Sequence, residues 1–147
     1  MADIYKMDTD YLSAESVYDR TLGKTQKEIN SAALPSVITN ITAESGWAVD
    51  AVNITKTDRL VSGTLIMHTT AQWSANNNNA VASFGSSILP LSYQMMPASI
   101  TPGMWSNTAE KTNVAYLSLL GKLVCNWSSA IDSGKYLKIA FCYTTVA

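Results

Sequence analysis

After Pro35 the hydrophobic pattern of the chain changes to a period of two, and that change limits the fold more than any other feature of the sequence. Alternating apolar and polar residues mark strands with one buried face, and no long helix is evident beyond the proline. Trp47, Val49 and Ala51 alternate, then Val52 and Ile54 shift the phase by one residue, which predicts a bulge or a strand buried on both faces. A turn at Lys56–Arg59 leads into a strand with Val61, Leu65 and Met67 on one face and Ser62, Thr64 and His68 on the other. A second hairpin turns at Gly121, with Ala115, Leu117 and Leu119 before it and Leu123, Cys125 and Trp127 after it. Asp132-Ser133-Gly134 supplies another turn, and the last strand puts Leu137, Ile139, Phe141 and Tyr143 on one face. Two stretches interrupt this pattern. Trp73 to Asn79, with its four successive asparagines, reads as a long hairpin loop, and Ile88 to Trp105, carrying Pro90, Pro97 and Pro102, belongs at edges and crossings. Short strands joined by tight turns and long crossings predict an all-β domain, a jelly-roll-like β-sandwich or barrel over residues 36–147.

Residues 1–35 read as a separate module, because the residue before a proline avoids helical geometry. Thr25-Gln26-Lys27-Glu28 fits a capping box, which starts a helix that can reach only to about Leu34. A helix that short is marginal on its own. Tyr18, Leu22, Thr25, Ile29 and Ala32 fall at alternating spacings of four and three, the seam of segments packed lengthwise against copies of themselves. A self-associating N-terminal helical stem is the expectation, with packing back on the same chain as the alternative.

Composition removes several partners. A charged fraction of 14% and a net charge of -1 give no basic field for nucleic acid. No apolar run reaches the roughly 20 residues that span a bilayer, so no membrane insertion is expected. The first residues lack the order of a secretory signal peptide, which places synthesis in the cytosol, where thiols stay reduced. Cys125 and Cys142 are accordingly expected as buried free cysteines within strands.

Catalytic chemistry has few candidates. His68 is the single histidine and has no HxH, HExxH or CxxC companion, so neither a one-chain zinc site nor a histidine-activated nucleophile is indicated, and no cofactor motif is present. Beyond the stem the acids are Glu44, Asp50, Asp58, Glu110 and Asp132. Asp58 and Asp132 suit turns and Glu110 a polar loop, whereas Asp50 lies inside an apolar strand, either as a sheet-face acid or as a ligand-binding one. Binding is better supplied. A saccharide offers apolar faces ringed by hydroxyls and is met by an aromatic plate with amides and a few acids. Trp73 precedes Asn76 and Asn77, Trp105 precedes Asn107, and His68 and Asp50 complete the candidate ligand set. Each loop tryptophan has a competing reading as a lid on the core or a subunit contact. Trp47 and Trp127 alternate with apolar strand residues and belong to the core.

The segment Tyr18-Asp19-Arg20-Thr21-Leu22-Gly23-Lys24-Thr25-Gln26-Lys27-Glu28-Ile29-Asn30 resembles one found in tail-fibre and baseplate proteins of phages and prophages. The Trp47-Ala48-Val49 and Leu60-Val61-Ser62-Gly63-Thr64-Leu65 strands, Leu89-Pro90 followed by Tyr93 and Pro97, and the hairpin around Gly121 resemble the C-terminal heads of the same receptor-binding proteins. The resemblance implies a homotrimer on a virion tail, joined to other tail or baseplate proteins through its N-terminus. It also implies a non-enzymatic head that binds host cell-surface polysaccharide. A purely structural trimeric cap and a small depolymerase are the competing expectations. A depolymerase would need two carboxyl groups about 5–10 Å apart.

Overall fold

Val61, Leu65 and Met67 are all fully buried, so the alternation read from the sequence is real burial on one side of a strand, β6 (Leu60–Thr69). Its antiparallel neighbour β5 (Trp47–Thr57) reaches it through a tight turn at Asp58, whose φ of 53° is of the kind hairpin turns demand. The structure is a computed structural model that describes residues 36–146 and, before them, positions 18–19, 23–25, 28, 31 and 34–35. The chain divides at Pro35 into two units, Met1–Pro35 and Ser36–Ala147.

In the second unit nine strands among the described residues form one antiparallel sheet. They are β3 (Ser36–Val37), β4 (Ile41–Ala43), β5, β6, β7 (Asn79–Phe84), β8 (Gln94–Thr101), β9 (Lys111–Leu117), β10 (Lys122–Cys125) and β11 (Tyr136–Thr144). Their spatial order is β3-β5-β6-β11-β8-β9-β10-β7-β4. The sheet curls into a half-barrel. The edge strands β3 and β4 are separated by residues 38–40 alone, so a few residues tie one margin of the sheet to the other. Inside the curl Ile54, Leu65, Met67, Ile100, Leu117, Leu123, Leu137 and Ile139 are essentially inaccessible, each stabilising the fold by about 1.5–3 kcal/mol relative to exposure. Gly63 lies mid-strand at φ 141°, and a Cβ there would sit 2.0 Å from the Asn53 carbonyl oxygen, so only glycine lets β5 approach β6 this closely.

The expected bulge is present: the register of β5 on β6 shifts between Val49 and Ala51, leaving Asp50 as the extra residue. Leu137, Ile139, Phe141 and Tyr143 do share the buried face of β11. Other expectations need correction. Residues 70–78 are a crossing rather than a hairpin loop, since β6 and β7 are not neighbours in the sheet. Strand β8, with Pro97 in it, is interior, between β11 and β9. It accommodates the proline because its ladder with β11 stops at Ala98–Ile139, one residue short of Pro97. Leu119 stands in the β9–β10 turn and is exposed. Cys125 is buried and free as expected, but Cys142 is free and exposed, because it alternates with the inward Phe141 and Tyr143.

In the first unit β1 (Tyr18–Asp19) and β2 (Lys24–Thr25) form a small hairpin, with Gly23 at φ 63° in its turn. Tyr18 and Thr25 are paired across it, which corrects the lengthwise seam expected through these two residues: an αL glycine reverses the chain between them. The remaining seam positions, Leu22, Ile29 and Ala32, lie outside the described residues. The capping box itself is formed. The Thr25 amide donates to Glu28 Oε2 at 2.7 Å, the Glu28 amide donates to Thr25 Oγ1 at 3.2 Å, and Glu28 and Ser31 are helical.

Candidate functional site

The outward face of β9, β10 and β7 carries the side chains that alternate with the core. On β9 and β10, Tyr116 and Val124 are partners in register, and Val124 in turn faces Ala80 of β7. One rung further along, Asn126 reaches Asn78, its Nδ2 donating to Asn78 Oδ1 at 2.5 Å. Asn113 of β9 fixes the backbone beneath by donating from its own amide to the Asn126 carbonyl oxygen. Tyr93, arriving just before β8, sets its ring 5.9 Å from that of Tyr116 at a tilt of 37°. Together Asn78, Tyr93, Tyr116, Val124 and Asn126 line a cleft of about 480 Å³. Tyr93 is 59% exposed although large and aromatic, so its ring is open to a ligand rather than spent on the core. A second groove, of about 390 Å³, opens where β8 and β11 part beside Pro97; Thr64, Ile66, Thr112 and Lys138 contribute to its walls.

Of the residues singled out in the sequence, Asp50 and His68 are brought together. His68 Nδ1 lies 2.9 and 2.8 Å from the two Asp50 carboxylate oxygens, and the imidazole tilts against the Tyr136 ring at 5.8 Å. Trp73 is not a loop plate. It is 8% exposed, bridges to Ile131 and packs against the Trp47 ring at 5.2 Å with a tilt of 53°, which is the lid-on-the-core arrangement. Asn76 occupies a turn at φ 56° and donates its backbone amide to the Trp127 carbonyl, while Asn77 is exposed. Trp105 is 82% exposed in the β8–β9 loop, and Asn107 is exposed beside it. Lys138 pins that loop by donating to the Ser106 carbonyl at 2.7 Å.

Sequence reasoning missed Tyr93, Tyr116, Asn78, Val124 and Asn126 as a group. Tyr116 and Asn126 were legible as outward residues, but only the β9–β10–β7 register shows that they and Asn78 meet.

One further cluster resembles a nucleophile. Ser83 accepts a hydrogen bond from Lys122 Nζ at 2.6 Å and donates to Glu44, and Lys122 and Glu44 form an ion pair at 2.5 Å. The Lys122 ammonium and then the Ser83 hydroxyl hold the Glu44 carboxyl below the usual carboxylate range. An ammonium already committed to a carboxylate is a poor base for the serine proton, so the cluster fastens β4 to β7 and β10. Among the described residues, no group of three or more His, Cys, Asp or Glu side chains is placed to hold a metal ion, and no helix is long and apolar enough to cross a membrane. A scan against models of protein families finds no match for the chain, and a search of curated proteins finds none.

Proposed function

We propose that the chain is a non-enzymatic host-recognition protein of a phage tail, whose curled sheet is a jelly-roll-like head that binds cell-surface saccharide in the Tyr93–Tyr116 cleft. The observation that carries this reading is the pairing of two accessible aromatic rings with two asparagine amides in one open cleft. Aromatic faces match the apolar faces of a sugar ring, and neutral amides match its hydroxyls. Individually weak sites of this type become useful when multiplied, so the reading includes a homotrimer held in part by residues 1–35 and joined to other tail proteins through the N-terminus. The sequence resemblance supports that part. A structural cap is the second reading, favoured by Trp105 and Leu120, which at 82% and 85% exposure would serve equally well as contacts with neighbouring proteins.

The test joins assembly to binding. Light scattering on the intact chain is expected to give a mass near three chains, and the same sample is expected to be retained on columns of purified cell-wall polysaccharide. Tyr93→Ala and Tyr116→Ala should each abolish retention while the trimer persists. A monomer, or full retention by both variants, would overturn the proposal.

A further inference from the structure

The two amides of the cleft are joined by a hydrogen bond, and its polarity restricts what they can read. An asparagine side chain has two N–H donors and one acceptor oxygen. Because Asn126 Nδ2 donates to Asn78 Oδ1, the Asn78 amide is committed with its nitrogen on the other side, and Asn126 is committed with its oxygen on the other side. Among the described residues, neither Asn78 Nδ2 nor Asn126 Oδ1 has a protein partner. The groups the pair turns wholly toward a ligand are therefore a donor, Asn78 Nδ2, on one asparagine and an acceptor, Asn126 Oδ1, on its neighbour.

The remaining walls sharpen the choice. Tyr93, Tyr116 and Val124 add rings and an apolar side chain, and none of the five lining residues is charged. An ionised sugar, such as a uronate or a phosphate ester, would give up hydration here with no opposite charge to compensate. A hydroxyl, by contrast, both donates and accepts, so two hydroxyls on adjacent ring carbons can meet the donor and the acceptor at once while the ring lies against a tyrosine face.

Resting on the reading of this cleft as a saccharide site, we infer that it selects an uncharged sugar ring through a pair of adjacent hydroxyls, with Asn78 and Asn126 as the specificity-determining residues. Asn126→Asp follows directly as a probe. A carboxylate at this position cannot donate to Asn78 Oδ1, so the Asn78 amide turns its nitrogen toward the carboxylate, and the pair presents two acceptor oxygens where it had presented a donor and an acceptor. Asn78→Asp removes the outward donor from the exposed side of the pair and guards against a folding defect in the first variant.

The experiment uses the full chain in titration calorimetry with dextran, mannan, galactan, neutral cell-wall polysaccharide and, as the polyanion, alginate. Each neutral polymer is offered before and after periodate oxidation and borohydride reduction, which cleaves the carbon–carbon bond between adjacent hydroxyls. The expected result is binding of at least one neutral polymer, its loss after oxidation, and a tenfold or greater weakening in both asparagine variants at unchanged melting temperature. Binding that survives oxidation, a preference for alginate, or undiminished affinity in both variants would overturn the inference while leaving a saccharide site in place. If no polymer binds, or if Tyr93→Ala and Tyr116→Ala bind as tightly as the unaltered chain, the reading of the cleft falls with it.

Discussion

The imidazole of His68 and the carboxylate of Asp50 face each other across β5 and β6, with Nδ1 at 2.9 and 2.8 Å from the two oxygens, and Asp50 is the residue that the β5 bulge adds between Val49 and Ala51. A bulge re-aims a side chain locally and interrupts regular pairing, and here the residue it adds is the one that fixes the ring. In the neutral imidazole the proton belongs on Nδ1, leaving Nε2 as the bare nitrogen. Long-range nitrogen–proton correlation spectra at alkaline pH should show that tautomer in the unaltered chain; the Nε2-protonated form would contradict the geometry. Asp50→Ala should cost about 0.5–1 kcal/mol in urea denaturation, the range for a pair whose side chains remain 32% and 20% exposed.

The two loop tryptophans should separate cleanly. Trp73→Ala removes a buried ring packed on Trp47 and should destabilise the head by about 3–5 kcal/mol. Trp105→Ala removes a ring that is 82% exposed and should leave the denaturation midpoint within experimental error. Equal effects on stability would mean that the 70–78 crossing does not cover the core as described.

Acid should loosen one margin of the sheet before the rest. The folded-state pKa of Glu44 is depressed by Lys122 and Ser83, so its contribution is complete above the ordinary carboxylate value and is lost as pH falls through the depressed one. Amide exchange in β4 should accelerate over that window at pH values where β11 remains protected. Glu44→Gln should flatten the dependence; an unchanged profile would assign the acid response to another group.

Thiol chemistry should distinguish the cysteines. Cys142 is exposed and should react with Ellman's reagent in the native protein. Cys125 is buried, and that burial pushes its thiol pKa up to about 12, so it should react only on unfolding. Release of two equivalents from the folded chain would contradict the placement of β10.

Period-two alternation was enough to show which residues of β6, β9, β10 and β11 face inward, because burial on one side of a strand leaves its trace within a few neighbouring residues. The phase slip before Val52 revealed the bulge for the same local reason. Sheet neighbours left no such trace. That β6 pairs with β11, and β10 with β7, depends on contacts far apart in the sequence, so Trp73 to Asn79 reads locally as a hairpin loop and the interior place of β8 leaves no local mark. The candidate site divided along the same line. Asp50 and His68 stand on strands joined by a tight turn and could be paired in thought, whereas Tyr93, Asn78 and Asn126 come from three separate stretches that only the folded sheet collects.

The middle of the sheet is made last. Strand β11 fills the space between β6 and β8, yet its residues, Tyr136–Thr144, leave the ribosome after every other strand of the sheet. Until they emerge, β6 and β8 each present an open margin that nothing else in the order can occupy, and the aromatic side chains Phe141 and Tyr143 are missing from the core. The sheet cannot be continuous before Tyr136–Thr144 is available, and until then the facing margins of β6 and β8 are exposed to neighbouring nascent chains.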